Sequence, residues 1–448
     1  MNNTTLAIDI GSSKVVAVLA KNDDNLDINI LGTGTSNSSG ILKGNLCNIE
    51  EATTCINYAI SLAKKNYFDE IENTIVSISS KDSKSIRSSA SININNGMVT
   101  EVEINQVLQM AIYNASIIPE YDIVHAIPLF FKVDNVEIKN PLNINGSRLE
   151  VSVYIVTVKK TTLTNLKTVL KTVKTNNISF VVDGYASSLA LLDEYQKKFG
   201  TSVINIGSTI TEIACFKNNS LLFNNSIPIG SNNITNDLSI MLHTPIKTAE
   251  KIKLEYISLI KNYASDESLT QQKITIPRIA DEQSNSEISL GYIQTIVHAR
   301  VEEILILSRN QLKKSSSLEN SNSGIIITGG MSNLNGIKEL AQKVFEGFQV
   351  SISYPKRLKN GYLDFSSPEY STVVGLLYYG LDSNRTYQLD SNKRLIKPIK
   401  IEPVKPPISQ LPKDKPMQGQ NKPDVLIPIS KQKSKFGERI WKKIMDAF

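Results

Sequence analysis

Along the first eighty residues, apolar and polar positions alternate in blocks that predict an α/β order. Leu6–Ile10 and Val15–Ala20 are short apolar runs of the kind buried in a parallel or mixed sheet, joined by the small polar turn Gly-Ser-Ser-Lys. Ile28–Thr35 reads as a third strand. Over 50–65, residues Ala52, Cys55, Ile56, Ala59, Ile60 and Ala63 recur at helical spacing, which predicts one amphipathic helix. Thr74–Ser79 returns to strand. From about 83 to 160 the pattern changes. Strands are predicted at Ser91–Ile94, Ile123–Val133 and Leu149–Val158, with a helix at Glu103–Ala115. That block is large enough for a small α+β subdomain. Helix Leu163–Lys174, strand Ile178–Val182 and helix Ala186–Tyr195 then restore the α/β order.

A second cycle opens at Ser202–Ile206, with strands at Ile210–Phe216 and Leu221–Ile227. Its start, Ser-Val-Ile-Asn-Ile-Gly-Ser-Thr, repeats the Leu-Ala-Ile-Asp-Ile-Gly-Ser-Ser of the first cycle. The period is far longer than that of a solenoid, so it marks a duplicated fold, in which a ligand commonly sits between the halves. Helices are predicted at Ile234–Leu242, Thr248–Tyr256, Tyr292–Leu312, Gly336–Phe345 and Tyr370–Tyr379, with a strand at Gly324–Thr328 that runs into Gly329-Gly330.

The pattern then collapses. Residues 385–433 hold eight of the chain's 16 prolines and one aromatic, Tyr387, which predicts a disordered Pro/Lys-rich linker. As a flexible coil it would reach about 40 Å, and fully extended about 150 Å. The last fifteen residues recover a helical period: Phe436, Ile440, Trp441, Ile444, Ala447 and Phe448 fall on one arc, with Lys442, Lys443 and the other charged residues opposite. An amphipathic helix with an aromatic-rich face and neighbouring lysines suits a membrane surface. A docking helix for another protein is the alternative.

Charge sharpens this picture. The whole chain is at +6, yet the segment from Arg385 onward carries 15 Lys/Arg against 6 Asp/Glu, leaving a mildly acidic body. That argues against nucleic-acid binding, which needs a basic folded face, and for anionic lipid as the partner of the basic end. The 3 cysteines and 3 histidines are few and far apart, so disulfide frameworks, zinc sites and Ser-His-Asp chemistry are disfavoured. His125, His243 and His298 read as structural. The N-terminus has no basic region ahead of an apolar stretch, and no apolar run is long enough to span a bilayer, so a cytoplasmic location is expected. Gly32 and Gly34 are not followed by a helix and do not form a dinucleotide fingerprint.

The two Gly-containing turns carry the candidate chemistry. Backbone N–H groups in such a turn can hold phosphate oxygens, and glycine allows close approach. Asp9 could hold Mg2+ through water, since hard cations prefer oxygen ligands, and Lys14 could neutralise phosphate. Alone, Asp-x-Gly-Ser is an ordinary β-turn sequence. Here Asp9, Gly11, Ser12, Ser13 and Lys14 are followed some 200 residues later by Asn205, Gly207, Ser208 and Thr209, and then by Thr328-Gly329-Gly330-Met331-Ser332. In order and spacing these resemble the two phosphate motifs and the adenosine motif of the duplicated actin/Hsp70-like, ribonuclease H-like fold.

Within that superfamily the chain resembles the bacterial cell-division family FtsA. The resemblance runs through Gly40-Ile41-Leu42-Lys43-Gly44, Lys139-Asn140-Pro141-Leu142, Gly146-Ser147-Arg148-Leu149, Thr244-Pro245 with Ala249–Lys253, and Tyr370–Leu377, and returns in the terminal helix. It implies an ATP- and Mg2+-binding protein that polymerises and anchors the FtsZ ring to the cytoplasmic face of the membrane at the division site. Glu250 and Lys253 would approach ribose and adenine, and Gly329, Gly330 and Met331 would pack on the nucleoside. Arg300 and Glu303 would lie in the subdomain that receives the acidic C-terminal tail of FtsZ. Other division proteins would be further partners, and Phe436, Ile440, Trp441, Ile444 and Phe448 would enter the lipid. Asp183 lies where Hsp70-like relatives carry an acidic residue that positions water; a turn or cap role is the alternative.

One departure stands out: the family carries Asp where this chain has Asn205. Phosphoryl transfer depends on positioned charge and metal, so nucleotide binding is expected with weak or absent hydrolysis. The implied domains are a first actin-like half (1–82, 161–200 and 355–383) with an inserted subdomain at 83–160, and a second half (201–236 and 311–354) with a helix-rich lid and partner-binding subdomain at 237–310. The linker (384–433) and the membrane helix (434–448) complete the chain. An actin-like type IV pilus assembly protein and a small-molecule kinase of the same fold are the rival readings.

Overall fold

The computed structural model describes residues 4–23, 27–79, 83–173, 175–259, 271–279, 285–358, 365–382 and 386–398. The predicted amphipathic helix over 434–448 and most of the predicted linker lie outside them.

The chain starts as the apolar blocks predict. Strands β1 (Thr4–Ile10) and β2 (Lys14–Asn22) form an antiparallel hairpin, with β3 (Ile28–Asn37) against β2 and a short hairpin β4 (Ile41–Leu42) and β5 (Asn45–Leu46) beyond. Helix α1 (Ile49–Ala63) is capped by the Asn48 side chain and buries the six residues of the predicted stripe. Strand β6 (Ile71–Ile78) returns parallel to β1.

The insert follows as β7 (Lys84–Asn93), α2 (Glu101–Asn114), β8 (Tyr121–Val133), β9 (Val136–Ile138) and β10 (Arg148–Lys159), with its own core of Ile104, Leu108, Ile123, Leu149 and Ile155. The first half then resumes with α3 (Lys160–Val169), β11 (Thr175–Val182), α4 (Asp183–Leu191) and α5 (Glu194–Phe199). The helix predicted across 186–195 is in fact two. Asp193 caps α5, its carboxylate accepting from the Gln196 N–H at 2.7 Å while Gln196 Oε1 accepts from the Asp193 N–H at 3.0 Å.

The second half contains β12 (Thr201–Ile206), β13 (Thr211–Lys217), β14 (Ser220–Ile227), α6 (Ser231–Met241), α7 (Ile246–Tyr256), a hairpin β15 (Lys273–Pro277) and β16 (Asn285–Ser289) that the periodicity did not reveal, α8 (Leu290–Lys314), β17 (Ile325–Thr328), α9 (Ile337–Val344) and β18 (Val350–Ile352). Helix α10 (Ser371–Leu381) closes the first half.

The repeat seen in the sequence is a repeat of topology. One sheet runs β3-β2-β1-β6-β11 and the other β14-β13-β12-β17-β18; in each an antiparallel three-strand meander continues into two parallel strands. Helices α4 and α10 pack together: a Cβ on Gly375 would lie 1.8 Å from the Ala186 carbonyl oxygen, so only glycine permits this approach. Tyr185 of α4 stacks on Phe216 of the second sheet at 5.9 Å between centroids, joining the core of the first half to the second.

The expectation of a structureless linker from 384 needs correction. Residues 386–398 form β19 (Gln388–Leu389) and β20 (Leu395–Ile396), which extend the sheet of the insert through β8. Leu389 is fully buried in the insert's core. The turn between them grips the first half: Ser179 Oγ donates to Asp390 Oδ2 at 3.1 Å, and the Phe180 N–H to Ser391 Oγ at 2.9 Å. Composition averaged over fifty residues concealed a local apolar pair around a polar turn. The buried His125 of β8 adds a second tie, its Nε2 accepting from the Val182 N–H at 3.2 Å. Burial holds this imidazole neutral, its pKa lowered to about 3.

Candidate functional site: a cleft between the two halves

Each half contributes one tight turn, and the turns match. In the first, the Gly11 N–H donates to the Lys14 carbonyl at 3.1 Å; in the second, the Gly207 N–H donates to the Ile210 carbonyl at 2.9 Å. They touch across the cleft, where Thr209 Oγ1 donates to Ser12 Oγ at 2.8 Å. Helix α6 starts directly behind the second turn, the Ser231 and Asn232 N–H groups donating to the carbonyls of Gly207 and Ser208. Ser38 supports the first turn by donating to the Gly11 carbonyl at 2.5 Å.

Between the turns lies a cavity of about 210 Å³, whose lining includes Asp9, Gly11, Ser12, Ser13, Lys14, Asp183, Asn205, Gly207, Ser208, Thr209, Gly329, Gly330 and Met331. The three predicted motifs and Asp183 therefore meet at one place. Gly329 has φ +88, and a Cβ on it would sit 2.4 Å from Asn205 Oδ1, so glycine is required where β17 ends against the second turn. Glu250 and Lys253 are not among the lining residues. They pair with each other at 2.7 Å and with Thr235 of α6, which leaves Lys253 buried.

The cavity also holds residues that the motifs did not single out: Ser79, Glu212, Ser231, Glu369 and Thr372. Glu212 was detectable. It stands opposite Asn205 in the β12–β13 register, so a polar residue interrupting the apolar run of β13 was the signal. Glu369 and Thr372 come from the approach to α10, far away in sequence, and no local pattern marks them.

The electrostatics are unusual. Asp9 is part-buried, and desolvation pushes it up to about 6, against the hydrogen bond from Ser77 Oγ at 3.1 Å and the charge of Lys14, which pull it down. Burial also raises Glu212 to about 8, against a 2.7 Å hydrogen bond from Ser79. Asp183 is raised well above the usual range, first by burial and then by Asp9 and Glu212. Its Oδ1 is buried with no hydrogen-bond partner among the described residues. Three crowded carboxyls with an unsatisfied oxygen suit a cation. No group of three or more His, Cys, Asp or Glu among the described residues is close enough to hold a metal by itself. A cation here would thus take further ligands from water and from an incoming anion, as Mg2+ does in phosphate sites. Paired N–H turns facing these carboxyls provide for both charges.

Arg300 and Glu303 lie elsewhere, on α8. Arg300 is held by Asp237 of α6, with Nη2 2.9 Å from Oδ1 and Nε 2.5 Å from Oδ2, and it also pairs with Glu303. Among the described residues no helix is long and apolar enough to cross a membrane.

Comparison with known proteins agrees with this architecture. The family model "Cell division protein FtsA" matches residues 202–375, and that of the "SHS2 domain inserted in FTSA" matches residues 80–157. The chain is 30% identical over 414 residues to the cell division protein FtsA of Helicobacter pylori J99, covering 86% of this chain and 83% of that protein. It is 31% identical over 374 residues to that of Neisseria meningitidis MC58, covering 83% and 88% respectively. Among solved structures, a PilM-PilN type IV pilus biogenesis complex aligns with a TM-score of 0.59 at 14% identity, over 84% of this chain and 98% of that one. MreB5 of Spiroplasma citri bound to ADP aligns at 0.52 and 13%, over 84% and 96%. At these identities the structural likeness speaks for the actin-like fold alone.

Proposed function

The chain belongs to the FtsA family of bacterial cell-division proteins, and from that premise we propose that it binds Mg-ATP between its halves, polymerises, and ties the FtsZ ring to the cytoplasmic face of the membrane. The observation that carries the nucleotide reading is the pair of matched turns joined across one cavity that is lined by Asp9 and by Asp183, whose Oδ1 has no hydrogen-bond partner among the described residues. The Spiroplasma citri protein of the same fold has been solved with ADP and with AMPPNP, which supports the same ligand class here.

In this reading the N–H groups of Ser12 and Ser13 and those of Ser208 and Thr209 hold the phosphates from two sides, Gly11 and Gly207 close the turns with their own N–H groups and allow the close approach, and Lys14 neutralises the phosphates. Asp9 orients Mg2+ through water. The metal supplies charge neutralisation for the phosphates. Gly329, Gly330 and Met331 face the nucleoside; Glu250 and Lys253, which pair with each other outside the cavity lining, would reach ribose and adenine only by giving up that pairing. Asp183 is the acid placed to hold a water. Asn205 lacks the charge that the family carries there, so hydrolysis is slow. A rise in melting temperature with millimolar Mg-ATP tests the reading; no shift would remove it.

The membrane reading rests on the sequence of the last fifteen residues. Half-burying Phe436, Ile440, Trp441, Ile444 and Phe448 in lipid contributes about 4–8 kcal/mol, and Lys442 and Lys443 add about 1 kcal/mol each near anionic headgroups. Ordering so short a helix offsets much of this, so one copy binds weakly and a filament firmly. Truncation after Lys433 should abolish co-sedimentation with anionic liposomes. For the FtsZ tail, the reading rests on the family and on individual cations such as Arg300, since residues 237–310 carry 8 Lys/Arg against 10 Asp/Glu. Arg300 already bridges α6 and α8, so the informative test is a tail-peptide titration of Arg300→Gln, with its apo melting curve measured alongside.

A further inference from the structure

Lys14 does not stand free in the cleft. Its Nζ is 3.0 Å from Glu369 Oε2 and 4.1 Å from the centroid of the Tyr370 ring. Lys14 begins β2 in the first half. Glu369 and Tyr370 belong to the short segment ahead of α10, and this segment is tied to the second half. The Pro368 carbonyl accepts from the Gly329 N–H and from Thr328 Oγ1, both at 3.3 Å, and Ser371 Oγ lies 2.7 Å from Thr328 Oγ1. The Lys14–Glu369 pair therefore joins the first turn to the end of β17, and both residues line the cavity. Lys14 is the one base among those lining residues. The cavity, at about 210 Å³, is smaller than the roughly 300–1,000 Å³ usual for ligand pockets.

We propose that Glu369 is an internal stand-in for a phosphate, a carboxylate that holds Lys14 across the cleft and that an incoming nucleotide must displace, so that it sets nucleotide affinity. The inference rests on the nucleotide reading above and concerns how that site is regulated. A carboxylate and a phosphate oxygen offer an ammonium group the same thing, an anionic acceptor at hydrogen-bond distance. Both cannot hold Lys14 at its best geometry, so the two anions compete for it. Tyr370 adds a cation–π contact that keeps the ammonium in place while its partner changes. Lys14 is about one-quarter and Glu369 more than one-third exposed, which limits the strength of the pair.

The test is titration of the full-length protein with Mg-ATP by calorimetry, comparing wild type with Glu369→Gln and Glu369→Ala. Both variants should bind about two- to fivefold more tightly, with apo melting curves unchanged, as expected for release of a partly exposed ion pair. In a Lys14→Ala background, Glu369→Gln should then change nothing. Equal or weaker binding by Glu369→Gln in a folded chain overturns the proposal. So does a gain that survives Lys14→Ala, because it would mean general repulsion rather than competition for Lys14. If wild type fails to bind but Glu369→Gln binds, Glu369 holds Lys14 more firmly than a partly exposed ion pair usually does, and the proposal stands. If every folded variant, wild type included, fails to bind, the nucleotide reading falls and the proposal with it.

Discussion

In the first half, Asp9 is the last residue but one of the leading strand, opposite Val16, and Lys14 closes the turn; in the second half, Asn205 holds the place of Asp9, Glu212 that of Val16, and Ile210 that of Lys14. Strand order and the turn hydrogen bond are common to both. The backbone is duplicated and the charges are not. Both turns can hold phosphate through N–H groups, because that needs only the turn. Only the first supplies a base, and each supplies one carboxyl from a different strand. The comparison predicts a division of labour in which binding depends mainly on the first half, while the second tunes stability and turnover.

The sharpest way to break it is Asp9→Ala, which should abolish the Mg-ATP-dependent rise in melting temperature while the apo protein still melts cooperatively. If a full shift survives, the metal is held from elsewhere. Lys14→Ala comes next. Loss of a charge-assisted contact to phosphate corresponds to about 1.5–3 kcal/mol, or roughly 10- to 150-fold in affinity, readable by calorimetry. A smaller loss would fit a Lys14 already satisfied by Glu369.

Much of this was legible beforehand, for a physical reason. Buried strands and glycine turns are local, and the echo of Leu6–Ser13 in Ser202–Thr209 exposed the duplication directly. What stayed hidden depends on contacts distant in sequence. Glu369 reaches Lys14 across more than 350 residues. The strap at 386–398 is ordered by β8 and β11, which its own composition does not announce. Conversely, Arg300 looked available on its helix face because Asp237, its partner, lies on another helix.

The second half can be probed through pH. The folded pKa of Glu212 is raised from 4.5 to about 8, and that of Asp9 from 3.8 to about 6. Below the lower values both folded and unfolded chains hold these protons, and no difference arises. Between them, the unfolded chain releases protons that the folded one keeps, so stability falls as pH rises through this window. Glu212→Gln removes its share. The variant should gain on wild type with rising pH, by on the order of a few kcal/mol at pH 8 and above, as seen in apo melting curves from pH 5 to 9. Parallel curves would show that Glu212 does not carry a proton in the folded state.

The smallest expected effect comes from restoring the family's residue. Asn205 Nδ2 donates to Thr372 Oγ1 at 3.1 Å. In Asn205→Asp the donor is lost, but the threonine hydroxyl can turn and donate to the carboxylate, so the contact survives with its direction reversed. What changes is charge. A fourth carboxyl joins Asp9, Asp183 and Glu212, which disfavours the apo cleft and favours a bound cation. Apo melting temperature should drop slightly, Mg2+ dependence should steepen, and single-turnover hydrolysis of ATP should rise several-fold from a slow wild-type rate. The rise is modest because Glu212 already brings a carboxyl to the same strand pair. Rapid turnover by the wild type would mean that the exchange of Asp for Asn is fully compensated by its cross-strand neighbour, and that the two halves differ in sequence more than in chemistry.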